Sequence, residues 1–406
     1  MTAHLSDQPW LTASSTRAVM AALEAAGGPG CARFVGGCVR NALIGQPVAD
    51  IDIATTLKPE DTDRAIRAAG LKAVPTGIAH GTVTAVAERR PFEITTLRRD
   101  VSTDGRNATV AFTDDWGEDA ARRDFRLNAL YADAEGRVFD PTGEGAADAL
   151  AGRIIFVGEP ETRIREDYLR ILRFFRFHAW YGRGEPDAAA LAACRAEAGG
   201  MTRLSAERVS SELMKLLSAP DPRAAMTAMA EAGVLAQILP EARLTPLFDA
   251  AVAQGADPVV RLMMLLPADE AVVREAAARL RFANAVRDRL AFAAQALPDA
   301  DLSQSDREAR AALYRHGSQA LADAMRRRWA EAPGQADAAS HLLALAGKWV
   351  RPKLPVGGRD LEKLGLASGP ETGRLLKAFE RGWIADDFPT TGHAERLKAL
   401  VSAPRE

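Results

Sequence analysis

Residues Arg33 to Thr55 read Arg-Phe-Val-Gly-Gly-Cys-Val-Arg-Asn-Ala-Leu-Ile-Gly-Gln-Pro-Val-Ala-Asp-Ile-Asp-Ile-Ala-Thr, and the rest of the chain is organised around them. The apolar pair Phe34 and Val35 predicts a short strand running into Gly36-Gly37. Cys38 to Ile44 predicts a brief helix that stops at Gly45, where glycine suits a left-handed cap. Pro47 keeps the chain extended, and Val48 to Ala54 predicts a second strand. Alternate side chains of a strand share a face, so Asp50 and Asp52 project together while Ile51 and Ile53 enter the core. Two carboxylates on one rigid face suit a hard cation such as Mg²⁺. Paired glycines ahead of a helix start let backbone N–H groups approach a phosphate. Together these features point to metal-assisted chemistry on a nucleoside triphosphate. An Asp-x-Asp pair alone also describes the wet face of an edge strand. The specificity lies in the glycine pair, Val39-Arg40 and the two aspartates at this spacing.

At 406 residues the chain is too long for one ordinary core, so two or more domains are expected. A hydrophobic fraction of 47% and a charged fraction of 26% are those of a soluble globular protein. The 52 basic and 54 acidic residues leave a net charge of −2. This excludes a global electrostatic pull on nucleic acid, so any such binding must come from local basic patches. Cys31, Cys38 and Cys194 fit no disulfide or metal spacing, which indicates a reducing compartment. With no signal pattern at the N-terminus and no apolar run of spanning length, a cytoplasmic protein is expected.

Around the central stretch, Leu11 to Ala26 and Lys58 to Ala69 predict helices, and Leu71 to Pro75 predicts a strand. His80 to Glu88 and Phe92 to Leu97 predict an antiparallel hairpin beside the Asp50 strand. Glu93 lies on its return strand and could complete a three-carboxylate site; a solvent-facing glutamate is the plainer alternative. His80, at a turn into a strand, reads as a structural histidine. Arg98 to Gly117 is polar and predicts a mobile loop next to the site. In Arg122-Arg123-Asp124-Phe125-Arg126-Leu127-Asn128, guanidinium forks suit phosphate oxygens, and Asp124 and Asn128 suit ribose hydroxyls. A helix is expected to begin near Glu118 or Asp119, with a strand near Tyr131 and another over Ala151 to Val157.

From about Pro160 the pattern is helical to the end, apart from turns. Glu161 to Trp180 predicts one helix, placing Asp167 and Arg170 three apart on one face. Such a pair presents acceptors beside donors, which is what reading the Watson–Crick edge of a base requires; it also describes an ordinary intrahelical salt bridge. Arg173 and Arg176 continue the basic ridge. Ser205 predicts the N-cap of a further helix. The glycine-punctuated segment Pro355 to Gly373 offers backbone N–H groups to phosphates, or simply docks the tail.

These motifs, in order, resemble those of the class II tRNA nucleotidyltransferases, the CCA-adding enzymes and the similar bacterial poly(A) polymerases. The likeness covers about the first 220 residues, with a family-like tail near Leu354 to Phe379. It implies an α+β fold: a small nucleotidyltransferase-type β-sheet head over residues 1–157, followed by an all-helical neck, body and tail. The neck would span 158–220 and read the base; the body and tail, 221–406, would bind tRNA. By the resemblance, Asp50 and Asp52 hold Mg²⁺, with Glu93 at the third-carboxylate position. Gly36, Gly37, Arg40, Arg123, Asp124, Asn128, Asp167, Arg170, Arg173 and Arg176 fall on nucleotide-contacting positions. Glu207-Arg208, with Glu212 and Lys215, resembles the helix motif that follows.

Two departures stand beside these positions: Asn41 where the family has Asp, and Arg126 where it has Thr. They imply altered tuning rather than loss of activity. The implied activity is addition of C, C and A to the tRNA 3′ end from CTP and ATP. Its rivals are a poly(A) polymerase of the same fold, a half-enzyme adding only CC or only A, and a non-catalytic tRNA-binding protein. Intact Asp50 and Asp52 argue against the last, because RNA binding alone requires no such pair.

Overall fold

The computed structural model describes residues 4–5, 8–77, 81–104 and 107–402, and the chain divides into two compact units, Met1–Pro240 and Glu241–Glu406. The residues of the expected head and neck fall within the first unit, which extends to Pro240. His80, Gly105 and Arg106 lie outside the described residues.

The first unit is built on a seven-stranded sheet in the order β3-β4-β5-β2-β1-β8-β9. The strands are β1 (Ala32–Val35), β2 (Asp52–Thr55), β3 (Lys72–Gly77), β4 (Thr82–Ala87), β5 (Arg90–Thr96), β8 (Tyr131–Ala132) and β9 (Val138–Phe139). β6 (Arg98–Asp104) and β7 (Asn107–Phe112) form a separate antiparallel pair. Neighbours in the main sheet are antiparallel except β2 and β5, which run parallel with Asp52 opposite Glu93.

Three strand expectations change. β2 begins at Asp52, not Val48, so Asp50 stands in extended chain just ahead of it. The reason is pairing: β1 reaches only Ile53 through Phe34, and β5 starts its register at Asp52. The polar stretch expected to be a loop is instead the β6–β7 hairpin, followed by the helix Trp116–Ala121. The Ala-Thr-Val-Ala-Phe run of β7 carries the β-branched and aromatic residues that favour a strand. The Ala151 to Val157 segment is not a strand; its β-type pairing is the isolated bridge Phe125–Phe156.

The helix Trp116–Ala121 starts earlier than expected because the Asp115 carboxylate accepts the Gly117 N–H at 2.7 Å and caps it. Val35, Ala54, Leu97, Ala120, Ala129 and Tyr131 pack as one buried cluster at the sheet. Phe125, Phe156, Phe174 and Phe177 form an aromatic cluster that fixes the helix Leu169–Tyr181 onto this part of the unit. Burying these rings stabilises the docking by roughly 1.5–3 kcal/mol per side chain.

The expected single helix from Glu161 to Trp180 is two, Pro160–Glu166 and Leu169–Tyr181. Asp167 breaks it with extended backbone, φ −153° and ψ 104°, so Asp167 and Arg170 do not share a continuous helix face. The regular elements described in the second unit are all helices. One of its cores gathers Leu313, Leu321, Met325 and Leu342; another gathers Leu361, Phe379 and Trp383.

Candidate active site

Gly36 ends β1 with φ +73° and ψ −121°, a conformation that favours glycine, and its N–H donates to the Leu130 carbonyl at 3.0 Å. The helix Gly37–Leu43 follows at once. A Cβ placed on Gly36 would lie 3.6 Å from Arg123 Nη1, and one on Gly37 would lie 3.8 Å from Arg40 Nη2. Two guanidinium groups therefore lie against the glycine turn.

Asp52 is half-buried, Asp50 and Glu93 are exposed, and the parallel register sets Glu93 beside Asp52. Burial pushes the Asp52 carboxyl up, the charges of Glu93 and Asp50 push it further, and Arg123 pulls it back, leaving it at about 6. These four side chains thus share one electrostatic neighbourhood. Among the described residues no three His, Cys, Asp or Glu side chains converge as a ready-made metal shell. What is present is a carboxyl group disfavoured in its charged form by neighbouring negative charge, and a divalent cation relieves that. Mg²⁺ commonly takes one or two protein carboxylates and completes its octahedron with water and substrate phosphates. The acidic group fits such an ion.

Behind the turn lies a buried polar network. Asp119, 1% exposed, accepts from Arg122 at 2.7 Å, from Arg123 at 2.9 Å and from the Tyr131 hydroxyl at 2.7 Å. Asp124 Oδ1 accepts from the Phe125 N–H at 2.9 Å and Asn128 Nδ2 at 3.1 Å, and its Oδ2 accepts Arg173 Nε at 2.7 Å and Nη2. A carboxylate offers about four lone-pair sites, so a ribose hydroxyl would have to displace one of these donors. Asn128 Oδ1 accepts from Arg40 Nη1 at 2.5 Å.

Arg40 itself is 6% exposed, donates to Asn41 Oδ1 and to the Tyr181 hydroxyl at 2.8 Å, and stacks on the Tyr181 ring at 3.9 Å. It is an interior residue beneath the turn rather than an open phosphate ligand. Asn41 has a role of its own here, receiving Arg40 and donating to the Pro47 carbonyl at 2.9 Å. Arg126 points away from this network to Glu144, with Asp148 at 3.8 Å.

On the following helices, Asp167 pairs with Arg208 at 2.7 Å, not with Arg170. Arg170 donates to Glu166, to the Arg163 carbonyl at 2.7 Å and to the Arg122 carbonyl at 3.2 Å. Arg176 pairs with the buried Glu212 at 2.6 Å. The structure thus brings Asp50, Asp52, Glu93, Gly36, Gly37 and Arg123 together at one edge. Arg40, Asn128, Asp124 and Arg173 form a chain leading from that edge to the helix Leu169–Tyr181.

A Poly A polymerase head domain model matches residues 32–155, and a model described as a probable RNA and SrmB-binding site of polymerase A matches 185–244. The mitochondrial CCA tRNA nucleotidyltransferase 1 of Danio rerio is 32% identical over 383 residues, covering 86% of this chain and 83% of that protein. Its Homo sapiens counterpart is 34% identical over 372 residues, covering 86% and 82%. The chain belongs to the CCA tRNA nucleotidyltransferase family. A Bacillus stearothermophilus CCA-adding enzyme, solved in complex with CTP, is 25% identical and superposes over 96% of this chain and 98% of its own with a TM-score of 0.78. A Thermotoga maritima CCA-adding enzyme complexed with tRNA shares the fold at a TM-score of 0.63 and 20% identity. Nucleotidyltransferases of this kind use divalent metal ions. Among the described residues no helix is long and apolar enough to cross a membrane.

Three residues of this family member escaped the sequence reading. Asp119 carried a signal, since its spacing to Arg122 and Arg123 is that of helical ion pairs. Tyr131 and Tyr181 carried none, because a hydroxyl's partner across a fold is invisible to local spacing.

Proposed function

We propose that this protein is a CCA-adding tRNA nucleotidyltransferase that extends the tRNA 3′ end by C, C and A from CTP and ATP, releasing pyrophosphate. The observation that carries the reading is the edge where Asp52, in the field of Asp50 and Glu93, also feels the charge of Arg123, whose guanidinium lies at the Gly36 turn. Relatives that bear the CCA-adding name share most of the chain's length, which supports the same assignment.

Asp50 and Asp52 would hold Mg²⁺, which when bound would supply acidification of the attacking 3′-hydroxyl and compensation of triphosphate charge. Gly36 and Gly37 let the phosphates come close to the backbone, and Arg123 supplies a fixed positive charge against the same turn. Positioning and charge stabilisation supply most of the acceleration in phosphoryl and nucleotidyl transfer. The 3′-hydroxyl attacks the α-phosphorus in line. Its new ester bond forms as the bond to pyrophosphate breaks. Arg173 and Asn128 orient Asp124 at the ribose, Arg176 lies alongside, and Asp167 with Arg170 reads the base edge. The helical segments beyond residue 158 bind tRNA, and the reading places the enzyme in the cytoplasm, supported by three buried free cysteines.

The test uses purified protein, Mg²⁺, and tRNA lacking zero, one, two or three terminal nucleotides, with each NTP supplied singly. CTP should extend the two shortest acceptors and ATP only the one ending in CC. The head model's poly(A) polymerase description favours the second reading, under which ATP alone would be added repeatedly.

A further inference from the structure

We propose that Arg208 is a specificity-determining positioning residue that sets the orientation of the Asp167 carboxylate. The inference rests on the reading of Asp167 as a base-edge contact and deepens it. Asp167 sits in the gap between the helices Pro160–Glu166 and Leu169–Tyr181, with extended backbone, so no helix fixes its side chain. Two contacts do. Oδ1 accepts the Leu169 N–H at 3.1 Å, and Oδ2 accepts Arg208 Nη2 at 2.7 Å.

The same downstream segment holds the neighbouring residue. A Cβ on Gly200 would lie 1.9 Å from Tyr168 Cε1, so the ring lies directly on the glycine backbone, and Arg203 stacks over it at 5.4 Å. The break at Asp167-Tyr168 is therefore seated on Gly200, Arg203 and Arg208 together.

The two side chains of the ion pair are 20% and 23% exposed, dry enough to hold a direction and open enough to meet a ligand. Each carboxylate oxygen retains an acceptor site after its one contact. Arg208 thus chooses which direction those sites face. Arg170, by contrast, is anchored on Glu166 and two backbone carbonyls, and its position does not depend on Asp167. A group that orients an acceptor changes which donor pattern is accepted, rather than how tightly every triphosphate binds.

The experiment compares full-length wild type, Arg208→Ala, Arg208→Lys, Asp167→Ala and the Arg208→Ala/Asp167→Ala pair. Thermal melting establishes that each is folded. Single-turnover kcat/KM is measured for CTP and UTP on tRNA lacking its three terminal nucleotides. Arg208→Ala should narrow the CTP/UTP ratio by about tenfold, the share of one charge-assisted hydrogen bond. Arg208→Lys should recover part of it, and the double variant should be no less selective than Asp167→Ala.

A purely structural role would lower both nucleotides equally and leave the ratio unchanged, overturning the inference. If Asp167→Ala narrows the ratio while folded Arg208→Ala and Arg208→Lys do not, the role of Arg208 fails and that of Asp167 stands. If Asp167→Ala leaves the ratio unchanged, both fail. Additive losses in the double variant would show that Arg208 acts independently of Asp167 and would equally overturn it.

Discussion

Asp52 and Glu93 are register partners across the parallel pair β2–β5 of the main sheet. Their carboxylates stand on the same side of the sheet; burial first, then the charges of Glu93 and Asp50, push the Asp52 carboxyl up to about 6. An acidic edge of this kind is unfavourable by itself and favourable around a cation.

Asp52→Asn should lower incorporation of every nucleotide by at least about 10²-fold, the scale of losing a transition-state charge contact. Binding of tRNA, followed by fluorescence anisotropy, should be unchanged. Chelation should abolish wild-type addition, and Mg²⁺ should restore it. Glu93→Gln should retain turnover but require more Mg²⁺ for half-maximal rate, because one attracting charge is gone.

Gly36→Ala should cost about 1–3 kcal/mol of stability in urea unfolding, the usual penalty for a side chain in so sparsely populated a backbone region. Space is not the obstacle, since the nearest atoms to an added Cβ are 3.6 and 3.7 Å away. The strain is in φ +73° itself. A variant as stable as wild type would show that the turn relaxes freely.

The sequence showed the glycine turn, the aspartate pair and the order of motifs because each is local and uses residues with distinctive chemistry. The start of β2 was hidden, because it depends on where β5 begins to pair rather than on Val48 and Ala49. Asp167 was read as a helix residue because Glu161 to Trp180 keeps helical periodicity across a break that only tertiary contacts impose, through Gly200 and Arg208. The β6–β7 hairpin was masked by charged residues at Arg98, Arg99 and Asp100, which obscure its alternation.

Asp119, 1% exposed, joins the partly buried Arg122 and Arg123 and the buried Tyr131, so Asp119→Ala should destabilise the first unit by about 3 kcal/mol through the cations left without their partner. Nucleotide affinity should also fall, because Arg123 loses the partner that holds it against the glycine turn. Equilibrium unfolding and CTP titration by calorimetry check the two effects separately.

Acid should weaken the fold over a defined window. Burial alone would raise Asp119 and Asp124, but Arg123 and Arg122 hold the first at about 2, and Arg173 and Asn128 hold the second at about 2. In the unfolded chain both return to near 4. Folded values below unfolded ones mean stability that is complete above about pH 4 and lost as pH falls toward 2. Each group accounts for about 2 kcal/mol over that window. In Asp124→Asn the slope of stability against pH between 4 and 2 should be shallower than in wild type, the remainder coming from Asp119 and from other carboxylates held below their usual range, such as Asp257 and Asp387.

Arg40 separates stability from binding. Its guanidinium is buried, its direct partners Asn41, Asn128 and Tyr181 are neutral, and it lies beneath Gly37. A buried cation without a contacting carboxylate keeps its field, and that field emerges at the glycine turn. Arg40→Gln should therefore raise the KM for CTP and ATP alike, more strongly at low salt than at high. It should also destabilise the fold through lost hydrogen bonds and stacking. Tyr181→Phe removes one hydrogen bond while keeping the ring under the guanidinium, so it should cost about 1 kcal/mol and leave KM unchanged. If Tyr181→Phe raised KM as Arg40→Gln does, the effect would lie in the position of the turn, and charge beneath Gly37 would no longer explain nucleotide affinity.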